Sequence, residues 1–103
     1  MGTRPGKREK VLEIARDCVA AGRYRDTRHA RDRRQERQIT LMEVKHVILT
    51  GFNEKSKDEY KPEYGTWNYA IRGKTVDGRS LRVAVSFEAD GLLLIVTTID
   101  LDG

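Results

Sequence analysis

The sequence predicts an α+β domain in which three N-terminal helices pack on a four-stranded antiparallel meander. Three observations carry this. Apolar residues recur at helical spacing up to about residue 50 and at every second residue beyond it. Gly22 and Gly51 stand where helical stretches must stop. Asp77-Gly78 and Asp90-Gly91 separate alternating apolar runs, a strong short-range hairpin signal. A chain of 103 residues supports one core. We therefore expect a single domain over residues 7–103, behind a disordered leader, 1–6, punctuated by Pro5 and Gly6.

Taken in order, Lys7 to Ala21 reads as a helix, with Val11, Ala15 and Cys18 on one stripe and Leu12 and Val19 beside it. Cys18 reads as a small core residue. A second helix, from about Thr27 to Gln38, can be capped by Thr27 but has almost no apolar face apart from Ala30. Its stability must come from its neighbours or from its long side chains. Thr40-Leu41-Met42-Glu43 is a capping box that opens a third helix to Thr50, lined by Leu41, Val44 and Ile48. Phe52 to Tyr60 reads as a polar edge strand, and Pro62 and Gly65 break the chain after it. Thr66 to Thr75 sets Trp67, Tyr69 and Ile71 on one face. Ser80 to Glu88 alternates, with Leu81, Val83, Val85 and Phe87 inward and Arg82, Ala84, Ser86 and Glu88 outward. Leu92 to Ile99 is almost wholly apolar, as a central strand covered on both faces would be.

Composition narrows the function classes. Hydrophobic residues make up 38% and charged residues 35%, and the apolar ones are periodic, so folding rather than disorder is expected. No apolar run approaches the ~20 residues that span a bilayer. One cysteine excludes an internal disulfide, and a cytoplasmic location is the expectation. One cysteine and two histidines do not make a typical zinc site, no Gly-rich phosphate loop is present, and neither metal nor other cofactor is expected. Charge is uneven: residues 1–38 hold 12 Lys and Arg against 6 Asp and Glu, while the remainder is slightly acidic. Such a block attracts phosphate-bearing partners, or is a solvated charged face.

Within that block His29, Arg33 and Arg37 recur at every fourth residue. Each step of four drifts by only about 40° on a helix, so the three share one face over about 12 Å. A titratable imidazole beside two permanent guanidiniums suits phosphate chemistry: arginine grips phosphate oxygens in a fork, and histidine moves a proton near neutral pH. The same spacing also fits a structural role, with the arginines paired to carboxylates of the sheet. His46, on the polar side of the third helix, reads as a surface residue.

The ordered pattern His29-Ala30-x-x-Arg33-x-x-Glu36-Arg37, Ile39, a capped helix with Val44 and Ile48, Gly51, then Gly78-Arg79-Ser80-Leu81-Arg82-Val83 and Ile95-Val96-Thr97 resembles the family catalogued as domain of unknown function 4258. The likeness runs from about Val11 to Ile99. Two positions depart from it: Arg34 stands where relatives often have Met, and Gln38 where they often have Gly, which predicts a less sharp helix end. The family in turn resembles the small ribonuclease toxins of the RelE, barnase and colicin type, in which RNA lies against a curved antiparallel sheet. The resemblance implies a toxin-like endoribonuclease that cuts RNA without a metal, by attack of a 2′-hydroxyl on the adjacent phosphate, and that is neutralised by a protein antitoxin. It implies His29 as acid/base, with Arg33 and Arg37 as phosphate ligands.

RNA contacts are expected from Arg31, Arg34 and Arg82, and from Tyr60 and Tyr64, which flank Pro62 and offer rings for stacking. Glu59, Glu63 and Tyr60 are the groups available as a second acid or base. The alternative is a non-catalytic RNA- or protein-binding module of the same fold. A third reading, a structural partner in an oligomer, follows if Leu92-Leu93-Leu94 leaves one face uncovered.

Overall fold

Three helices and six strands alternate less simply than the change of period suggests. The computed structural model describes residues 4–103. Its elements are α1 (Val11–Ala20), β1 (Tyr24–Asp26), α2 (Arg28–Glu36), α3 (Leu41–Thr50), β2 (Phe52–Asn53), a 3₁₀ turn (Lys55–Lys57), β3 (Glu59–Lys61), β4 (Thr66–Lys74), β5 (Ser80–Phe87) and β6 (Leu93–Asp100). The sheet runs β1-β6-β5-β4-β2, and β3 also pairs with β4. The expected antiparallel succession of β4, β5 and β6 is present.

The expectation of four strands behind three N-terminal helices is corrected in two places. β1 lies between α1 and α2 and pairs parallel with β6, Tyr24 opposite Leu93 and Asp26 opposite Ile95. Three residues are too few to show a period of two. The polar strand expected over Phe52 to Tyr60 is broken into β2 and β3 by the 3₁₀ turn. Asp58 causes the break: its Oδ1 accepts the Ala70 N–H at 2.8 Å and the Asn53 side-chain amide at 3.1 Å, replacing a ladder bond with a side-chain bond.

α1 begins at Val11, not Lys7, because the preceding segment is held by tertiary contacts. The Arg8 N–H donates to the Tyr69 hydroxyl at 2.8 Å, the Trp67 indole donates to the Pro5 carbonyl at 2.8 Å, and the Lys7 ammonium lies 3.1 Å from the buried Asp58 carboxylate. Of the leader expected over 1–6, residues 1–3 lie outside the described residues. Arg4 lies over Trp67, 4.9 Å from the ring centroid.

One face of the sheet carries the core. Ile71, Leu81, Val83, Val85, Phe87, Leu93 and Ile95 pack with Ala15, Cys18 and Val19 of α1 and Val44, Val47 and Ile48 of α3. α3 meets β4 so closely that a Cβ on Gly73 would stand 3.0 Å from the Gly51 Cα, and one on Gly51 would run into the Arg72 carbonyl oxygen. The capping box at Thr40 and Glu43 forms as expected.

α2 is held differently. Only Ala30 and Arg34 are buried on it. It lies alongside β6 beyond the end of β1, where the Thr27 hydroxyl donates to the Ile95 carbonyl at 2.8 Å and accepts the Ala30 N–H. Arg34 is buried in an ion pair with Asp26 of β1. The helix end is sharp without glycine. Gln38 takes φ 55°, the Ile39 N–H reaches the Arg34 carbonyl at 2.9 Å, and the Gln38 N–H reaches Gln35 at 3.2 Å. Arg79 reinforces this turn by donating to the Arg37 and Gln38 carbonyls while paired with Asp100 at 2.7 Å.

Candidate functional site

Side chains alternate along a strand, so the residues between the core positions form a second face. It carries Asn68, Ala70 and Arg72 on β4, Arg82, Ala84 and Ser86 on β5, and Leu94, Thr97 and Ile99 on β6. A β-bulge sets Ala84 opposite Thr97 and Val85 opposite Ile95, leaving Val96 as the extra residue. The small Ala70 and Ala84, side by side in register, leave a hollow at the middle of this face. The result is an open cleft of about 420 Å³ whose lining includes His29, Lys57, Glu59, Lys61, Arg82 and Ile99.

His29 enters from the first turn of α2 at the β6 side. It is exposed, and no hydrogen bond or ion pair engages it among the described residues. Lys57, Glu59 and Lys61 enter from the opposite side, on the 3₁₀ turn and β3. Lys61 is bonded to Glu59 at 2.9 Å, and that bond raises its ammonium above the ordinary 10.5. Three inter-strand spacings separate β6 from β3, about 14 Å for a flat sheet. His29 and Glu59 therefore stand on opposite walls.

Arg82 stands on the floor. Its Nε donates to Glu54 at 2.7 Å, and Arg72 donates to the other Glu54 oxygen at 3.1 Å. The Arg82 bond chiefly, opposed by desolvation and aided by Arg72, holds the Glu54 carboxyl below its ordinary 4.5. Glu54 thus stays ionised, takes Nε, and leaves the two terminal nitrogens of Arg82 without a protein partner among the described residues. That pair is the fork which binds a phosphate or carboxylate.

The other residues singled out in the sequence fall in different places. Arg33 is exposed and pairs with Glu36 at 3.5 Å, outside the cleft lining. Arg37, at the end of α2, donates to the Thr98 carbonyl and so ties that end to β6. Only His29 of this trio lines the cleft. Arg31 is exposed, but two residues at 100° each turn it toward the far side of α2 from His29. Arg34 is enclosed against Asp26. Tyr60 lies opposite Trp67 in the β3–β4 pairing, with the rings edge to face at 5.6 Å, so it shares the core-side face. Tyr64 is 77% exposed and borders the cleft's continuation along the sheet.

Lys57 and Lys61 were not legible as site residues, because nothing in their own neighbourhood brings them to α2. The signal that was available is the alternation that sends Arg82 outward together with two alanines. Among the described residues there is no cluster of acidic, histidine or cysteine side chains that could hold a metal ion, and no helix long and apolar enough to cross a membrane.

These features define a small α+β domain whose sheet is helix-backed on one face and open, with cations at its margins, on the other. Residues 27–100 match the family model described as Domain of unknown function (DUF4258), and the chain belongs to that family. The match runs from the cap of α2 to the end of β6 and includes every residue lining the cleft. No curated protein and no solved structure matches the chain.

Proposed function

We propose that the chain is a metal-independent endoribonuclease of the toxin type, holding RNA in the open cleft with the scissile phosphate beside His29. The observation that carries the reading is the convergence on one cleft of an unengaged imidazole, the Arg82 fork and the two lysines. In the reaction a 2′-hydroxyl attacks the adjacent phosphorus and its proton passes to a base. The 5′-oxygen leaves with a proton from an acid, and a 2′,3′-cyclic phosphate remains. His29 is the proton carrier of this reading. Arg82, Lys57 and Lys61 offset the charge that builds on the phosphate oxygens. A protein antitoxin, the partner implied by the toxin resemblance, would act by covering this face, and a cytoplasmic site of action goes with the reading.

The wide separation of His29 and Glu59 favours the second reading, an RNA-binding module without chemistry. One experiment separates them. The purified chain is incubated with end-labelled RNA in EDTA, beside His29→Ala. Cleavage that leaves cyclic phosphate ends, and that His29→Ala abolishes while RNA binding persists, supports the nuclease. Salt-sensitive binding without cleavage supports the module. Absence of binding at low salt removes both.

A further inference from the structure

The open face does not end at the cationic cleft. Past Asn68 and Val96, which line both, it continues into a groove of about 540 Å³ bordered by Tyr64, Asn68, Ser86, Leu94 and Val96. This half has a different chemistry. Leu94 and Val96 are half-buried rather than covered, the Tyr64 ring projects at the margin, no Lys or Arg lines it, and its one carboxylate, Glu88, is paired with Arg25 at 2.5 Å. The Asn68 side chain makes no hydrogen bond among the described residues, so both its donor and its acceptor are free.

We propose that this groove is a base subsite, and that the ligand of the open face is single-stranded RNA. The inference rests on the function proposed above and adds its substrate class. The argument is continuity and complementarity. A nucleic-acid strand carries a charged backbone beside flat apolar rings, and the face carries a cationic half beside an apolar one with an aromatic ring at its edge. Asn68, at the junction, has the donor and acceptor that a base edge pairs with. In a duplex the rings are stacked inside and cannot reach Tyr64. Ser86 and Arg82 are four residues apart on β5, about 13 Å, so more than one nucleotide is needed to occupy both halves.

The test is fluorescence anisotropy with a short labelled RNA, single-stranded or annealed to its complement, in a His29→Ala background that prevents turnover. Single-stranded RNA is expected to bind more tightly. Tyr64→Ala, an exposed site that changes no charge, should weaken single-strand binding roughly tenfold and leave duplex binding unchanged. Arg82→Ala should weaken both and flatten the salt dependence. If both forms bind equally and Tyr64→Ala has no effect, while Arg82→Ala still weakens both, the base subsite is overturned and RNA binding at the cleft survives. If no RNA binds at low salt, the functional reading itself fails. A dimer in sedimentation that Tyr64→Ala disperses assigns the groove to a second copy of the chain and overturns the proposal.

Discussion

The two faces of the sheet are written by the same strands, residue by residue, yet they are built on opposite principles. On β6, Ile95 is fully buried against the helices, while Val96 beside it lies half-open on the other face. On β5, Val83 is fully buried, and its neighbours Arg82 and Ala84 look into the cleft. The helix-side face is filled with branched aliphatic side chains. The open face keeps two alanines at its centre, a Glu54-bound arginine beside them, and lysines at the margin. Burial drives the first face, which therefore tolerates little change. The second contributes little to the core, so burial does not account for its residue types.

Four measurements would break or sharpen this contrast. The largest effect is expected where a charge sits on the buried side. Arg34→Ala leaves Asp26 enclosed without its partner and should cost ~3–5 kcal/mol in urea unfolding. A loss below about 1 kcal/mol would show that the pair is solvated and that α2 is held by its caps alone.

Next comes the pair of neighbours. Ile95→Ala should cost ~2–4 kcal/mol, and Val96→Ala no more than about 0.5 kcal/mol, the range of a surface change. Equal losses would mean that both faces of β6 are core, as its apolar sequence first suggests.

A smaller effect concerns acid. Glu54 is held below 4.5 chiefly by Arg82, and Asp100 below its ordinary 3.8 chiefly by Arg79. Because both carboxyls titrate lower in the folded chain, their contribution is complete above those ordinary values and is lost as pH falls through the depressed ones. Melting temperature, as far as these groups set it, should stay level from about pH 8 to pH 5 and fall below about pH 4. This divides the acid range, where the two ion pairs are lost, from the neutral range, where the fold is expected to hold and the proposed cleavage would be assayed. A melting temperature that already declines between pH 7 and 6 would contradict this division.

The smallest effect is a gain. Gln38 holds φ 55° without being glycine, and Gln38→Gly should stabilise the chain by about 0.5–1 kcal/mol, the left-handed strain less the added chain entropy. A thermal melt of the variant checks it. A destabilised variant would mean that the Gln38 side chain packs more usefully than its exposure indicates.

Much of the architecture could be read from the sequence because local and global signals agree there. The capping box of α3, the two Asp-Gly turns and the alternation of β5 each point to the element that forms. What escaped was set by distant partners. β1 is a strand only because β6 lies beside it. The start of α1 is decided by Tyr69, Trp67 and Asp58, all far along the chain. The site divides in the same way. His29 and Arg82 could be named from helical spacing and strand alternation, whereas Lys57 and Lys61 reach the cleft only through the turn that Asp58 anchors. Arg33 and Arg37 share the helical face the spacing indicates, but Arg37 is tied to the Thr98 carbonyl at the sheet edge.

The parallel pairing of β1 with β6 also orders events during synthesis. β6 lies between β1 and β5, so β1 has no strand partner until β6 has left the ribosome, and the intervening loop is long. Val96, Thr97 and Ile99 of that strand line the cleft that His29 faces. The proposed RNA surface therefore joins His29 of α2 to residues of β4, β5 and β6, and it is incomplete until β6 has paired with β5.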